Sequence, residues 1–87
     1  MYKVTIITVG HNCQSTCIGE YETRADIEHF FKSIDDFIPT DQFCPTMLDL
    51  LPATKGEYSS QTVYYSRPDR KGIARDIKCS IYIACIS

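Results

Sequence analysis

Residues 23–38 read TRADIEHFFKSIDDFI, and the reading of this stretch decides the fold. Ile27, Phe30, Phe31, Ile34, Phe37 and Ile38 recur at the i, i+3, i+4, i+7 spacing of one helix face. Asp26, Glu28, Lys32, Asp35 and Asp36 take the opposite face, with Glu28 and Lys32 at the favourable i,i+4 spacing. Thr23-Arg24-Ala25-Asp26 has the form of a capping box with Asp at its fourth position, so the helix is predicted to begin at Thr23 or Arg24. A proline pushes the residue before it out of the α region, so Pro39 is predicted to stop the helix at Ile38.

The flanks on both sides read as strands. Tyr2 to Val9 is rich in β-branched residues and holds no Gly or Pro, which predicts a first strand. Gly10-His11-Asn12 opens a turn, and Ser15 to Thr23 returns as the second strand of a hairpin. Gly19, Glu20 and Glu22 place that strand at an edge, where charge discourages further pairing. Beyond Pro39, Pro45 and Pro52 bracket Thr46 to Leu51, and two readings stay open there. One is a turn or two of helix with Met47, Leu48 and Leu51 on one face; the other is a strand. Ala53 to Gly56 is a loop.

Glu57 to Ser66 predicts a third strand, Arg67 to Gly72 a polar turn and Ile73 to Ile86 a fourth strand. Ile77, Cys79, Ile81, Ile83 and Cys85 share one face of the fourth strand, and its other face also turns apolar towards Ile86, as in a central strand. The order β-β-α-(short helix)-β-β specifies an α+β fold. It is a four-stranded antiparallel sheet with one main helix packed on one face and strands one and four in the middle.

Length and composition bound the rest. Eighty-seven residues fit one domain, 1–87. An apolar fraction of 44% and a charged fraction of 23% exclude a disordered, collagen-like or coiled-coil chain. No apolar run approaches the roughly 18 residues of a membrane span. Met1-Tyr2-Lys3 followed by Val4 to Val9 has the outline of a leader. Thr5 and Thr8 interrupt it and no small-residue cleavage site follows, so the expected location is the cytoplasm.

Cys13, Cys17, Cys44, Cys79 and Cys85 are an odd set, which cannot close a complete internal disulfide framework, and free thiols are expected. His11, Cys13 and Cys17 could approach one another at the hairpin tip. A structural zinc takes four ligands, the fourth here would have to come from Cys44 or elsewhere, and there is no Cys-x-x-Cys pair. Neither a metal nor a cofactor is expected. His11 and Cys13 are two residues apart, as a base and thiol on one strand face would be. A hairpin tip excludes water poorly, and no Gly-rich phosphate loop, nucleophile elbow or His-Glu-x-x-His is present, so no enzyme is expected. His29 reads as a surface residue of the helix.

The charge distribution is uneven. The net of −2 combines eight acidic against two basic residues between 20 and 49, six basic against three acidic between 50 and 87, and Lys3. An acidic helix side can be steered onto a basic protein surface. Glu20, Glu22, Glu28, Asp35 and Asp36 are therefore the expected partner-binding residues. The alternative is a nucleic-acid-binding hairpin of Tyr65, Arg67, Arg70, Lys71 and Arg75, with Tyr58, Tyr64 and Tyr82 near it and able to stack on bases. On the other reading of the tyrosines, they are half-core residues that reach water with their hydroxyls. A homodimer through an open sheet edge or an apolar patch is a third reading.

In size and in its layout of a β-hairpin, the helix of residues 27–38 and a terminal β-hairpin, the chain resembles small phage-encoded anti-defence proteins of the anti-CRISPR type. The resemblance is one of architecture and carries no residue motif. It implies a non-enzymatic inhibitor that binds a bacterial nucleoprotein effector in the host cytosol.

Overall fold

A computed structural model describes residues 1–10, the backbone of Cys13 and residues 14–87. Four strands and two helices follow in the order β1 (Tyr2–Gly10), β2 (Cys13–Tyr21), α1 (Arg24–Ser33), α2 (Cys44–Asp49), β3 (Tyr58–Pro68) and β4 (Ala74–Cys85), with a 3-10 turn at Thr40–Gln42. All strand pairs are antiparallel and the sheet order is β2-β1-β4-β3. The α+β architecture, the central β1 and β4 and the edge position of β2 follow the sequence reading. His11 and Asn12, where a turn is expected, lie outside the described residues.

The β1–β4 register builds the core. Val4 opposes Ile83, Ile6 opposes Ile81 and Thr8 opposes Cys79, so these side chains point to the same side of the sheet. Val63 joins them from β3, opposite Cys79. Ile27 and Phe31 of α1, Met47 and Leu48 of α2, and Phe43 between them close over this side. Phe31 and Phe43 meet edge to face at 5.2 Å, an arrangement that adds to simple burial. The segment around Pro45 is helical, with Met47 and Leu48 buried and Leu51 packed at the margin of the core.

The capping box forms in full. Asp26 N–H donates to Thr23 Oγ1 at 3.2 Å and Thr23 N–H donates to the Asp26 carboxylate at 3.3 Å. The other end of α1 corrects the sequence reading: the helix stops at Ser33, not at Ile38. The Ile34 and Asp35 amides donate to Phe31 and Lys32 in tightened three-residue turns, and the amides of Phe37 and Ile38 return to Ile34. The reason lies in Asp35-Asp36. Two carboxylates at a helix C-terminus oppose its dipole, and Asp is a poor helix former. Outside the helix Asp35 instead accepts a hydrogen bond from the buried hydroxyl of Thr40. Ile34 and Ile38 stay against the core, while Phe37 is 68% exposed.

Strand boundaries shift in two further places. β2 begins at Cys13 and ends at Tyr21, two residues earlier than expected at each end, because the extended Thr23 is taken up as the N-cap of α1. β3 and β4 continue their ladder through Arg67 opposite Arg75 and Pro68 opposite Ala74. Arg67 is therefore a strand residue, and Pro68 sits at the end of an edge strand where its missing N–H is tolerated. No helix among the described residues is long and apolar enough to cross a membrane.

Candidate binding surfaces

Both helices pack on one side of the sheet, and strand alternation sends every second side chain to the other. Four cross-strand rows stand on that open side. They are Gln14-Val9-Lys78-Tyr64, Thr16-Ile7-Ser80-Thr62, Ile18-Thr5-Tyr82-Ser60 and Glu20-Lys3-Ala84-Tyr58. The two middle rows hold no charged side chain. Charge lies at the margins, with Lys78 in the first row and Asp76 beyond it on β4, and Lys3 beside Glu20 in the last row. Tyr64 is 71% exposed, Tyr58 68% and Ile18 59%, with Val9 and Tyr82 also open to solvent.

This arrangement has the chemistry of a contact surface. Protein interfaces deplete charge at their centre, keep it at the rim and favour tyrosine. Tyrosine offers a large amphipathic area at low conformational cost, and Ser and Thr supply adaptable hydrogen bonds. Thr62 and Ser80 already lie at 3.4 Å from one another through their hydroxyls. The sequence reading places four tyrosines by the hairpin tip or in the half-core; the structure exposes three of them, sets Tyr58 and Tyr82 far from the tip and keeps Tyr64 near it, opposite Lys78. Tyr58, Tyr64 and Tyr82 are exposed, and Tyr58 pairs with Ala84, about 33 Å along the strand from Pro68. Of the four, only Tyr65 is half-buried on the helix side, where Tyr2 and Tyr21 also pack against the core.

The acidic residues do not form one surface. Glu20 points to the open side of the sheet, next to Lys3. Glu22 lies in the turn before α1, and Glu28 on α1 faces Lys32 at 3.9 Å. Asp35 holds Thr40, and Asp36 lies in the turn after α1, where its main-chain oxygen is taken by Arg67. Glu28, Asp35 and Asp36 are on the helix side, separated from Glu20 by the sheet.

The basic residues of the hairpin are brought together in part. Tyr65, Arg67, Arg75 and Ile77 share the helix-side face of the β3–β4 hairpin and line a pocket of about 310 Å³ with Thr8, Pro68 and Asp69. The Arg67 guanidinium stands 6.0 Å from the Tyr65 ring and donates to the Asp36 carbonyl at 2.6 Å. Burial pushes the Tyr65 phenol up, and neighbouring Cys79 adds to this against an opposing effect of Arg67. Arg75 Nε donates to the Asp69 carboxylate at 3.2 Å. Asp69 also accepts from the amides of Lys71 and Ile73, and these bonds, that of Ile73 foremost, hold its carboxyl below the usual range. Arg70 and Lys71 are exposed in the turn and form no ion pair among the described residues.

Cysteine chemistry divides by depth. Cys17 is exposed, Cys44 half-buried, and Cys79 and Cys85 buried, all as free thiols. Burial pushes Cys79 up to about 11 and also raises Cys44, to which Glu28 adds. His11 and the Cys13 side chain lie outside the described residues. Among the described residues no group of three or more His, Cys, Asp and Glu is placed to hold a metal ion. His29 is exposed on α1.

The sequence reading missed the open face as a unit and missed Phe43 in the core. Alternation in strands one and four pointed at the first, since Thr5, Ile7, Val9, Ser80 and Tyr82 fall on the sides opposite the core positions. No protein-family model, curated protein or solved structure matches the chain.

Proposed function

We propose that this chain is a protein-binding module and that its contact surface is the open face of the sheet. The observation that carries the reading is the pair of uncharged central rows, Thr16-Ile7-Ser80-Thr62 and Ile18-Thr5-Tyr82-Ser60, bounded along the strands by rows that hold Lys78, Lys3 and Glu20. A partner that fits it is a folded protein with an apolar, weakly charged patch and polar groups at its margin. Stoichiometric binding without catalysis also fits the architectural resemblance to small anti-defence inhibitors. The test is quantitative affinity capture from cells of the source, with wild type, Ile18→Lys/Tyr82→Lys and Asp35→Lys/Asp36→Lys as baits. Loss of the captured protein with the first variant alone supports the open face; loss with the second alone returns binding to the helix side.

Binding of single-stranded nucleic acid at the hairpin is the second reading. It is favoured by Tyr65, Arg67 and Arg75 lining one pocket, with Arg70 and Lys71 exposed beside it. Asp69 and the Asp36 carbonyl engage two of these cations, which weakens it. This reading requires binding that falls steeply with salt, since phosphate contacts release counterions.

A further inference from the structure

β3 is an edge strand, and no strand pairs with its outer side among the described residues. Edge strands in stable monomers are usually protected by charge, proline or a bulge. β2, at the other edge, carries Glu20. β3 lacks such protection over nine residues: Tyr58 to Ser66 contains no charged residue and no proline. Opposite charges flank it, with Glu57 just before the stretch and Arg67 just after. We propose that β3 pairs with β3 of a second copy, antiparallel about a two-fold axis at Thr62, to form a continuous eight-stranded sheet.

The register follows from charge. With Thr62 opposite itself, Glu57 stands opposite Arg67 of the second copy, and the pair occurs twice. A shift that centres the pairing on Gln61 moves Glu57 opposite Tyr65. A shift that centres it on Val63 moves Arg67 opposite Ser59. Both shifts lose this opposite-charge pair, which favours cross-strand pairing. Centring between residues would oppose an outward-facing backbone position to an inward-facing one and break the ladder. Glu57 adjoins the start of the ladder: its carbonyl accepts from the Cys85 amide at 2.9 Å, while its own amide closes a turn onto the Thr54 carbonyl at 3.0 Å.

One other feature of the strand fits the same register. Tyr58 and Tyr64, the two most exposed tyrosines, become diagonal neighbours across the axis, within reach of aromatic side chains. The inference shares Thr62, Tyr58 and Tyr64 with the open face but concerns the outer backbone of β3, so sedimentation tests it and capture of a partner tests the open-face reading.

Sedimentation velocity of the whole chain from micromolar to millimolar concentration tests it. Wild type is expected to reach twice the mass of one chain. Thr62→Lys sets two ammonium groups against each other at the axis, and Glu57→Arg opposes two arginines at each end of the pair; each is expected to restore the single-chain mass at concentrations where wild type is dimeric. Thr16→Lys, on the other edge strand, is expected to leave the dimer intact. A wild type that stays at single-chain mass throughout overturns the inference, and so does a dimer that tolerates both Thr62→Lys and Glu57→Arg.

Discussion

Arg67 donates to the main-chain oxygen of Asp36 at 2.6 Å and so ties the β3–β4 hairpin to the turn that follows α1. The bond joins residues from the basic and acidic parts of the sequence, though through a backbone group and not a carboxylate. A single exposed hydrogen bond of this kind contributes on the order of 1 kcal/mol. Arg67→Ala is expected to lower the denaturation midpoint modestly and to speed amide exchange at residues 34–38. Unchanged exchange there would show that the tie does not order the turn.

Gly19 makes room for Tyr21. A Cβ at position 19 would stand 2.6–2.9 Å from the Tyr21 ring, which itself stacks on Phe30 at 5.1 Å. Gly19→Ala is expected to displace the ring and cost about 1–3 kcal/mol, the range for overpacking a well-fitted site. Denaturant unfolding measures the cost, and the near-ultraviolet signal of tyrosine reports the displaced ring. Stability equal to wild type would mean that the ring moves aside freely.

Asp69 organises the hairpin turn through the amides of Ile73 and Lys71 and the Arg75 guanidinium, with Gly72 beside it at φ +81°. Its carboxyl is held below the usual range, so the ionised form is favoured in the folded turn. Its contribution is complete above the ordinary carboxylate value and is lost as pH falls through the lowered folded value. The amide shifts of Lys71 and Ile73 are expected to titrate at acid pH, below the ordinary carboxylate range, and Asp69→Ala is expected to abolish that titration. A midpoint at the ordinary value would contradict these hydrogen bonds.

Thiol reactivity should follow depth. Cys17 is exposed, whereas Cys79 is buried and its thiol pushed up to about 11. The thiolate is the reactive species. Peptide mapping after brief alkylation at mildly alkaline pH is expected to find Cys17 modified and Cys79 protected until the chain unfolds. Comparable modification of both in the folded protein would place Cys79 outside the core.

The architecture was legible because its strands and main helix each have a clear period. Ile77, Cys79, Ile81 and Ile83 alternate cleanly, and Ile27, Phe30 and Phe31 mark one helix face. The end of α1 was harder to read because Ile34, Phe37 and Ile38 keep helical spacing while Asp35-Asp36 opposes a helix end, and the electrostatic signal prevails over the periodic one. Phe43 sits between two short helical turns with no period to mark it. The open face was legible only in halves: its rows draw on four strands, and only the register shows that Ile18, Thr5, Tyr82 and Ser60 are neighbours. Summed charge pointed to the helix side, but it could not show that the sheet separates Glu20 from Asp35 and Asp36.

Protein binding through the open sheet face is tested most directly by comparing what wild type and Ile18→Lys/Tyr82→Lys capture, with both baits shown to be equally folded. The expected result is a stoichiometric partner held by wild type and by Asp35→Lys/Asp36→Lys and lost from Ile18→Lys/Tyr82→Lys. Retention of that partner by the open-face variant at undiminished yield would contradict the assignment.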